Sequence, residues 1–500
     1  MTSPLAPDAQ VIDRLRDALT AASFTVDAVF AVLGPDAHAA LGRNETVPAR
    51  RATASGDPLA TLVRLFQLGD PVARVAADRA LPGLVDELAA AEILTASGDE
   101  VRALVDIRPY GDEQHDWWVV CDLTPGLDAG PVHVDGTHVL GISEASSSLA
   151  RLTVRPPVAS ALDLGTGCGV QALHLADHAS RVVATDVNPR ALAMARLTGA
   201  LNGVAIDVRD GSLYEPVAGE RFDLIATNPP FVVSPPDGER LVYRETGFAG
   251  DDVVRRIVAG ARGHLTPGGW CQVLGAWIHP ADGSWQDRLA AWIEPTGLDA
   301  WVVQREEVDL AAYAEMWLAD AGHRGRPGYT ERYDAWLSWF ASEGIGAMGF
   351  GWISLRNAER STPAVRIESF EGPVAGPVGP DALAWAAAVD AGQVQAGERD
   401  VLDVRWQVAD DLVQHAWGPV GAADPAVVTI RLQEGLRRER QVDTVEAGLL
   451  SVCDGDLTAG QALDALAVLL ETDGDDLRDR YRDTVAEMAA EGFLTVTTRS

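Results

Sequence analysis

The chain has no lysine: all 40 of its permanently basic residues are arginine. No side chain can therefore act as an amine nucleophile or form a Schiff base. Codon bias towards alanine, arginine and glycine is the preferred explanation, adaptation to high salt the other. Positive charge is scarce altogether, since 73 acidic residues leave a net charge of -33. A protein that grips phosphates needs a basic surface, so this balance disfavours nucleic acid as a partner. Cysteine is scarce too. Cys121, Cys168, Cys271 and Cys453 form no CxxC pair. That spacing excludes a disulfide framework or a zinc site and fits separate core thiols in a reducing compartment. No metal is implied. Met1 to Asp8 lacks a basic stretch followed by an apolar one, so no secretory signal is visible. No apolar run approaches the roughly 20 residues that span a bilayer. The expectation is a cytoplasmic protein with no membrane segment.

What the chain does have is apolar residues, 47% of 500. That suffices for ordinary folded domains, about three at the usual size. Residues 1–125 read as a mainly helical domain, with amphipathic helices predicted over Leu59 to Leu68 and Leu81 to Leu94. Strand-like runs follow at Val101 to Ile107 and Trp117 to Cys121. Residues 126–357 alternate strands and helices, which predicts a mostly parallel sheet with crossover helices. A composition break near Arg360 to Pro363 and a turn-rich stretch, Glu371 to Pro377, open an α+β region over 358–500. Strands are expected there near Val401 to Arg405 and Val427 to Leu432. Helix, turn and apolar strand recur at Leu84 to Leu94 and at Thr484 to Leu494. That order fits a winged-helix module at each end, and generic helical packing fits it equally. The acidity points any such module towards protein contacts rather than DNA.

The most informative stretch is Asn228-Pro229-Pro230-Phe231, which follows the strand-like run Phe222 to Thr227. The Asn amide oxygen and the Pro229 carbonyl can each accept a hydrogen bond from one NH2 group. Accepting both protons turns the nitrogen lone pair outward. The prolines restrict the backbone around these acceptors, and an aromatic ring can stack on a flat amide or base. A strand that ends in a Pro-Pro turn is the plain alternative.

A second motif is Asp163-Leu164-Gly165-Thr166-Gly167-Cys168-Gly169, which reads as strand, glycine turn and helix start. The spacing is Gly-x-Gly-x-Gly, not the Gly-x-Gly-x-x-Gly of dinucleotide sites. A further strand, Arg181 to Thr185, ends at Asp186, about twenty residues on, where a carboxylate can accept both ribose hydroxyl protons. Asn188-Pro189 looks like a helix start, so capping is the compatible alternative for Asp186. A third strand, Ala205 to Val208, precedes Asp210 and Ser212. Open α/β sheets bind ligands beyond the carboxyl ends of their strands, which would gather Asp163, Asp186, Asp210 or Ser212, and Asn228.

Together these motifs resemble the class I S-adenosylmethionine-dependent methyltransferases that act on nitrogen. The run from Asn228 to Pro236 is most similar to the HemK-type protein glutamine methyltransferases. The small-domain rRNA guanine and adenine methyltransferases also carry Asn-Pro-Pro-Phe. The resemblance covers about residues 130–357. It implies a Rossmann-like core with a mostly parallel seven-stranded sheet and S-adenosylmethionine as cofactor. By the same resemblance Asp163, Gly165, Gly167 and Gly169 surround the methionine portion and Asp186 holds the ribose. Ser212 stands where the family often has an acid near the adenine amine, with Asp210 as a substitute. Asn228, with Pro229 and Pro230, orients the substrate nitrogen and Phe231 packs on it. Leu140 to Ser148 stands where the family has a loop over the site. Glu144 and Ser146 are its candidate site residues, with helix capping as the alternative for the serines.

The chemistry expected is in-line methyl transfer to an amide or amine nitrogen, governed by orientation. The acceptor is a protein side chain of the glutamine type or a small molecule. An RNA or DNA base (adenine N6 or guanine N2) is the alternative, with Arg431, Arg437, Arg438 and Arg440 as a local basic cluster. A non-catalytic cofactor-binding scaffold is the third reading. His174 and His178 read as packing residues, with no nucleophile nearby. An insertion over 309–343 carries Tyr313, Trp317, Tyr329, Tyr333, Trp336 and Trp339. It reads as the core of a helical hairpin, or as a lid over substrate.

Overall fold

The computed structural model describes residues 5–112, 114–130, 136–235, 250–392, 400–420 and 425–496. Met1 to Pro4 and Pro236, the last residue of the extended motif, lie outside the described residues. Contacts divide the chain into two units, one of Met1–Leu149 with Pro156–Glu359, the other of Ala150–Arg155 with Arg360–Ser500.

The first unit opens with α1 (Ala9–Ala21), α2 (Val26–Leu41), α3 (Val47–Ala52) and α4 (Pro58–Leu62), which runs on as a π-turn over Val63–Gln67. Then come β1 (Val72–Ala73), α5 (Arg74–Ala80), α6 (Val85–Ala90), β2 (Leu94–Ser97) and β3 (Glu100–Ala103). The three strands pair antiparallel in the order β1-β3-β2. Helices α1 to α4 thus precede one strand, two helices and two strands. The helix expected from Leu81 to Leu94 is shorter than its apolar pattern. Gly83 and Glu92 take left-handed φ values of 66° and 58° and bound it at each end. Leu84, Val85, Leu88, Ile93 and Leu94 are all buried nonetheless, so burial produced the apolar period across a helix and a strand alike. A hairpin of β4 (Asp106–Gly111) and β5 (Asp116–Cys121) follows.

This hairpin docks on the central sheet's helices by specific bonds. Asn202 Oδ1 accepts from the Trp118 N–H at 2.9 Å and its amide donates to the Trp118 carbonyl at 2.8 Å. Thr198 Oγ1 accepts from the Val120 N–H at 3.0 Å. One apolar core runs from Leu15, Leu19 and Phe66 through Val119 to Leu173, Met194 and Leu197.

The central part contains α7 (Glu144–Leu152), β6 (Val158–Leu164), α8 (Val170–Ala176), β7 (Ala179–Asp186), α9 (Pro189–Leu201), β8 (Ile206–Asp210) and β9 (Phe222–Thr227). It continues with α10 (Asp252–His264), β10 (Leu265–Pro280), α11 (Trp285–Ile293), β11 (Asp299–Val308), α12 (Leu310–Asp320), α13 (Tyr329–Ser342) and β12 (Ile345–Arg356). Within this unit the strands lie side by side as β11-β12-β10-β9-β6-β7-β8. β8, β7, β6, β9 and β10 are parallel, while β12 runs antiparallel to both β10 and β11. The chain reverses its direction of winding between β6 and β9, so the crevice for a ligand falls at their carboxyl ends. The 309–343 insertion forms α12 and α13.

The second unit contains β13 (Val365–Ser369), α14 (Gly379–Gly392), β14 (Trp406–Val408), β15 (Leu412–Trp417), β16 (Val427–Leu432), β17 (Glu439–Val442), α15 (Thr444–Val452), α16 (Ala459–Leu469), α17 (Gly474–Ala490) and β18 (Leu494–Val496). The strand expected at Val401 to Arg405 lies later, at β14. Val401–Asp403 is instead a short 3-10 turn capped by Asp400, whose carboxylate accepts the Leu402 N–H. β14 pairs with β18, and Gln407 bridges to Asp454. An upstream strand thus fills the middle place that β3 fills in the N-terminal module. Capping boxes at Asp443/Glu446 and Thr458/Gln461 start α15 and α16.

No single described helix is long and apolar enough to cross a membrane. α1 and α2 pass such a test only as a pair bent by 49°, and their Leu15, Leu19, Val29 and Leu33 belong to the core.

Candidate active site

β6 is buried from Ala161 to Leu164 and delivers the glycine turn at its end. Gly165, Gly167 and Gly169 take φ values of 78°, 54° and 86°, a region where an L side chain is strained. Each has its own further reason. A Cβ on Gly169 would lie 3.1 Å from the Ala195 Cα, so this glycine lets α8 approach α9. Gly165 and Gly167 have no protein atom within 4 Å on that side; they leave open the space a ligand would fill.

Asp163 lies beneath this turn. Its Oδ2 accepts from the Thr166 hydroxyl at 2.6 Å and from the Ala172 N–H at 3.0 Å, tying the turn to the first turn of α8. Burial pushes its carboxyl up to about 7 despite these two bonds. Asp186 closes the turn from the other side, accepting from the Gly167 N–H at 2.9 Å and the Asn188 N–H at 2.8 Å. Burial raises this carboxyl as well, against the pull of those N–H groups. The Asp186 carbonyl accepts from the Gly211 N–H at 3.0 Å, which brings the end of β8 alongside. Leu213 there takes a left-handed φ of 48°.

β9 ends at Thr227, whose hydroxyl donates to the Leu164 carbonyl at 2.7 Å and pins Asn228 beside Gly165. The Asn228 Oδ1 is buried and has no hydrogen-bond partner. A buried acceptor left unmet costs about 1–3 kcal/mol, and such atoms mark places where a ligand completes the structure.

A cavity of about 570 Å³ joins these elements. Of the residues predicted from sequence, Ser146, Gly165, Gly167, Asp186, Ser212, Asn228, Pro229 and Pro230 line it. Asp163 and Gly169 support the turn from outside the lining. Asp210 is exposed at the end of β8, and Glu144 is exposed at the start of α7; neither lines the cavity. Phe231 does not line it either; its ring meets Phe350 edge-on at 6.1 Å. Ser146 has a structural task besides. Its hydroxyl accepts from the Ser143 N–H at 2.8 Å, and its carbonyl accepts from the Gln171 amide at 2.7 Å.

Sequence reasoning missed His138, Val187 and the apolar α10 residues Val253 and Ile257, all in the lining. Val187 carried a signal, being a valine set between Asp186 and a helix start; it is 51% exposed. His138 and Leu140 are held there by Asp122, which accepts from the Val139 N–H at 2.8 Å and pairs with Arg190. Of the two histidines, His174 is buried with Nε2 2.6 Å from the Tyr110 hydroxyl, and His178 Nδ1 lies 3.2 Å from the Pro156 carbonyl. Neither lines the cavity. The insertion's aromatics pack mainly on one another and on Val232 and Val233.

The residues present fit an adenosyl cofactor: an open glycine cradle, a carboxylate beside it, and a cavity with apolar walls. Strand order, the antiparallel β12 and this turn define a class I S-adenosylmethionine-dependent methyltransferase fold. Comparison with known proteins narrows the class. Residues 141–276 match the methyltransferase small domain, and residues 21–104 match a domain of unknown function (DUF7059). The chain is 34% identical over 129 residues to a release factor glutamine methyltransferase of Geobacter sulfurreducens, covering 24% of this chain and 45% of that protein. It is 36% identical over 145 residues to a ribosomal protein uL3 glutamine methyltransferase of Bradyrhizobium diazoefficiens, covering 27% and 44%. A ribosomal RNA small subunit methyltransferase C of Erwinia tasmaniensis is 30% identical over 175 residues, covering 34% and 46%. The chain spans less than half the length of these curated relatives. Among solved structures, a methyltransferase from Pyrococcus furiosus aligns at 16% identity over 43% of this chain and 83% of its own, with a TM-score of 0.27. The middle of the chain thus has a class I methyltransferase fold, matches the methyltransferase small domain over residues 141–276 and is similar in sequence to release factor glutamine methyltransferases.

Proposed function

We propose that this protein methylates a side-chain amide nitrogen of another protein, of the glutamine kind, using S-adenosylmethionine. The observation that carries the reading is the buried, unpartnered Asn228 Oδ1 in a cavity that also holds the glycine turn and Asp186. S-adenosylmethionine supplies an activated methyl group when bound. Asp186, Gly165 and Gly167 hold and orient it. Asn228 Oδ1 and the Pro229 carbonyl each accept a hydrogen bond from one N–H of the acceptor NH2 and so turn its lone pair away from them; one of the two N–H protons is lost to solvent after the methyl group has transferred. Both acceptors are uncharged, and they bind the positive NH2 of the transition state more strongly than the neutral amide. The apolar wall of Leu164, Val253 and Ile257 keeps water from the reacting pair. The reading carries with it a cytoplasmic enzyme acting on other cytoplasmic proteins.

A base of RNA is the second reading, favoured by the similarity to the Erwinia rRNA methyltransferase. Two observations weigh against it. The net charge of -33 repels phosphates, and two of the four arginines that would offset it are engaged. Arg438 pairs with Glu368, and Arg440 with Glu446, Glu487 and Glu491. Transfer of labelled methyl into a fractionated cell extract decides between them. Label in protein is the expected outcome, and label in RNA would replace the first reading with the second. A protein that binds the cofactor and labels nothing would be a scaffold.

A further inference from the structure

Between Asn228 and Pro235 the chain has three prolines, Pro229, Pro230 and Pro235, which have no N–H to anchor. The segment has correspondingly few ways to fix its own backbone. One anchor comes from far along the chain: the Val233 N–H donates to the Tyr313 hydroxyl at 2.8 Å. Val233 and Tyr313 are both fully buried. The Tyr313 ring lies 5.9 Å from that of Phe350, which in turn meets Phe231 at 6.1 Å. A hydrogen bond and a chain of aromatic contacts therefore run from α12 to the two ends of Phe231-Val232-Val233.

The topology explains why α12 is there. β11 runs parallel to β10, because both pair antiparallel with β12 between them. The insertion consequently leaves β11 and re-enters β12 at the same sheet edge as Asn228. Neither Tyr313 nor Phe350 lines the cavity, so any effect they have on chemistry must pass through the motif.

We propose that Tyr313 is a positioning residue for methyl transfer, holding the Val233 amide and thereby the turn that presents Asn228 and Pro229 to the acceptor. The inference rests on the methyl-transfer reading above. Two acceptors must face one NH2 together, and a misplacement of about 1 Å lowers a rate by on the order of a hundredfold. Tyr313→Phe keeps the ring and deletes the hydroxyl, leaving the buried Val233 N–H unmet. Leu318→Val is the control, since Leu318 is buried in the same cluster but makes no bond to the motif.

The full-length wild type and both variants are compared in three measurements: S-adenosylmethionine affinity by calorimetry, labelled-methyl transfer into cell extract at saturating cofactor, and amide exchange over residues 228–235. For Tyr313→Phe the cofactor affinity stays within about twofold, while the transfer rate falls about tenfold or more. Exchange at the Val233 amide rises. Leu318→Val lowers the melting temperature without either change. A Tyr313→Phe rate within about twofold of wild type overturns the inference, and so does an equal loss of rate in Leu318→Val. A wild type that binds cofactor but transfers no label fails at an earlier arm, and removes the methyl-transfer reading together with the inference.

Discussion

The two sides of the sheet edge are built differently. On the β6-β7-β8 side the groups satisfy one another: Asp163 holds Thr166 and Ala172, and Asp186 holds Gly167 and Asn188. The glycines already have the backbone that a ligand needs. On the β9-β10-β12 side the key acceptor is left unmet, and two prolines remove donors from the backbone around it. Its support comes from the insertion before β12. The glycine-turn side is preformed by neighbours in sequence, and under the proposed function the acceptor side is completed by distant chain and by substrate. Cofactor affinity and turnover should therefore separate under mutation.

The largest effect is expected at Asn228. Asn228→Ala removes an acceptor aimed at charge that develops only in the transition state. Turnover should fall by about a hundredfold to a thousandfold, with cofactor affinity nearly unchanged by calorimetry. Unchanged turnover would end the assigned role. Asp186→Ala should do the reverse, weakening S-adenosylmethionine by about tenfold to a hundredfold through lost charge-assisted hydrogen bonds. Wild-type affinity in that variant would remove the ribose assignment and with it the contrast between the two sides.

The smallest effect concerns Asp163 and pH. Burial pushes its carboxyl from the usual 3.8 up to about 7, so between these values the folded state holds the extra proton. Stability contributed by this group is complete below the lower value and declines as pH rises towards the upper one. Asp163→Asn should flatten the dependence of the melting temperature on pH in that window. A wild-type slope retained in the variant would assign the dependence to another group.

The cofactor side was legible in the sequence because its parts are local. Strand, glycine turn and helix occupy one short stretch, and the strand that follows ends at Asp186. Local spacing also found β16. It did not find His138 or the walls from α10, because those reach the cavity through Asp122 and the crossover after β9. It overextended the helix from Leu81 and misplaced the strand at Val401. In both places buried apolar residues set the pattern, and burial does not distinguish a helix from a strand. Asp210 stands as an alternative to Ser212 in the sequence because both follow the strand expected at Ala205 to Val208. The pleat and the Gly211 turn direct Ser212 to the cavity and leave Asp210 exposed.

The sequence by itself determined the glycine turn, the acid at the end of the next strand, the Asn-Pro-Pro-Phe motif and the alternation that makes a parallel sheet. Each depends on residues within a few positions, where backbone preference and hydrogen bonding act directly. Tertiary structure alone decided that Asn228 Oδ1 is buried without a partner, that Asp163 is pushed towards neutrality, and that Tyr313 meets Val233. Those facts depend on which distant surfaces exclude water from an atom, and no local spacing encodes that.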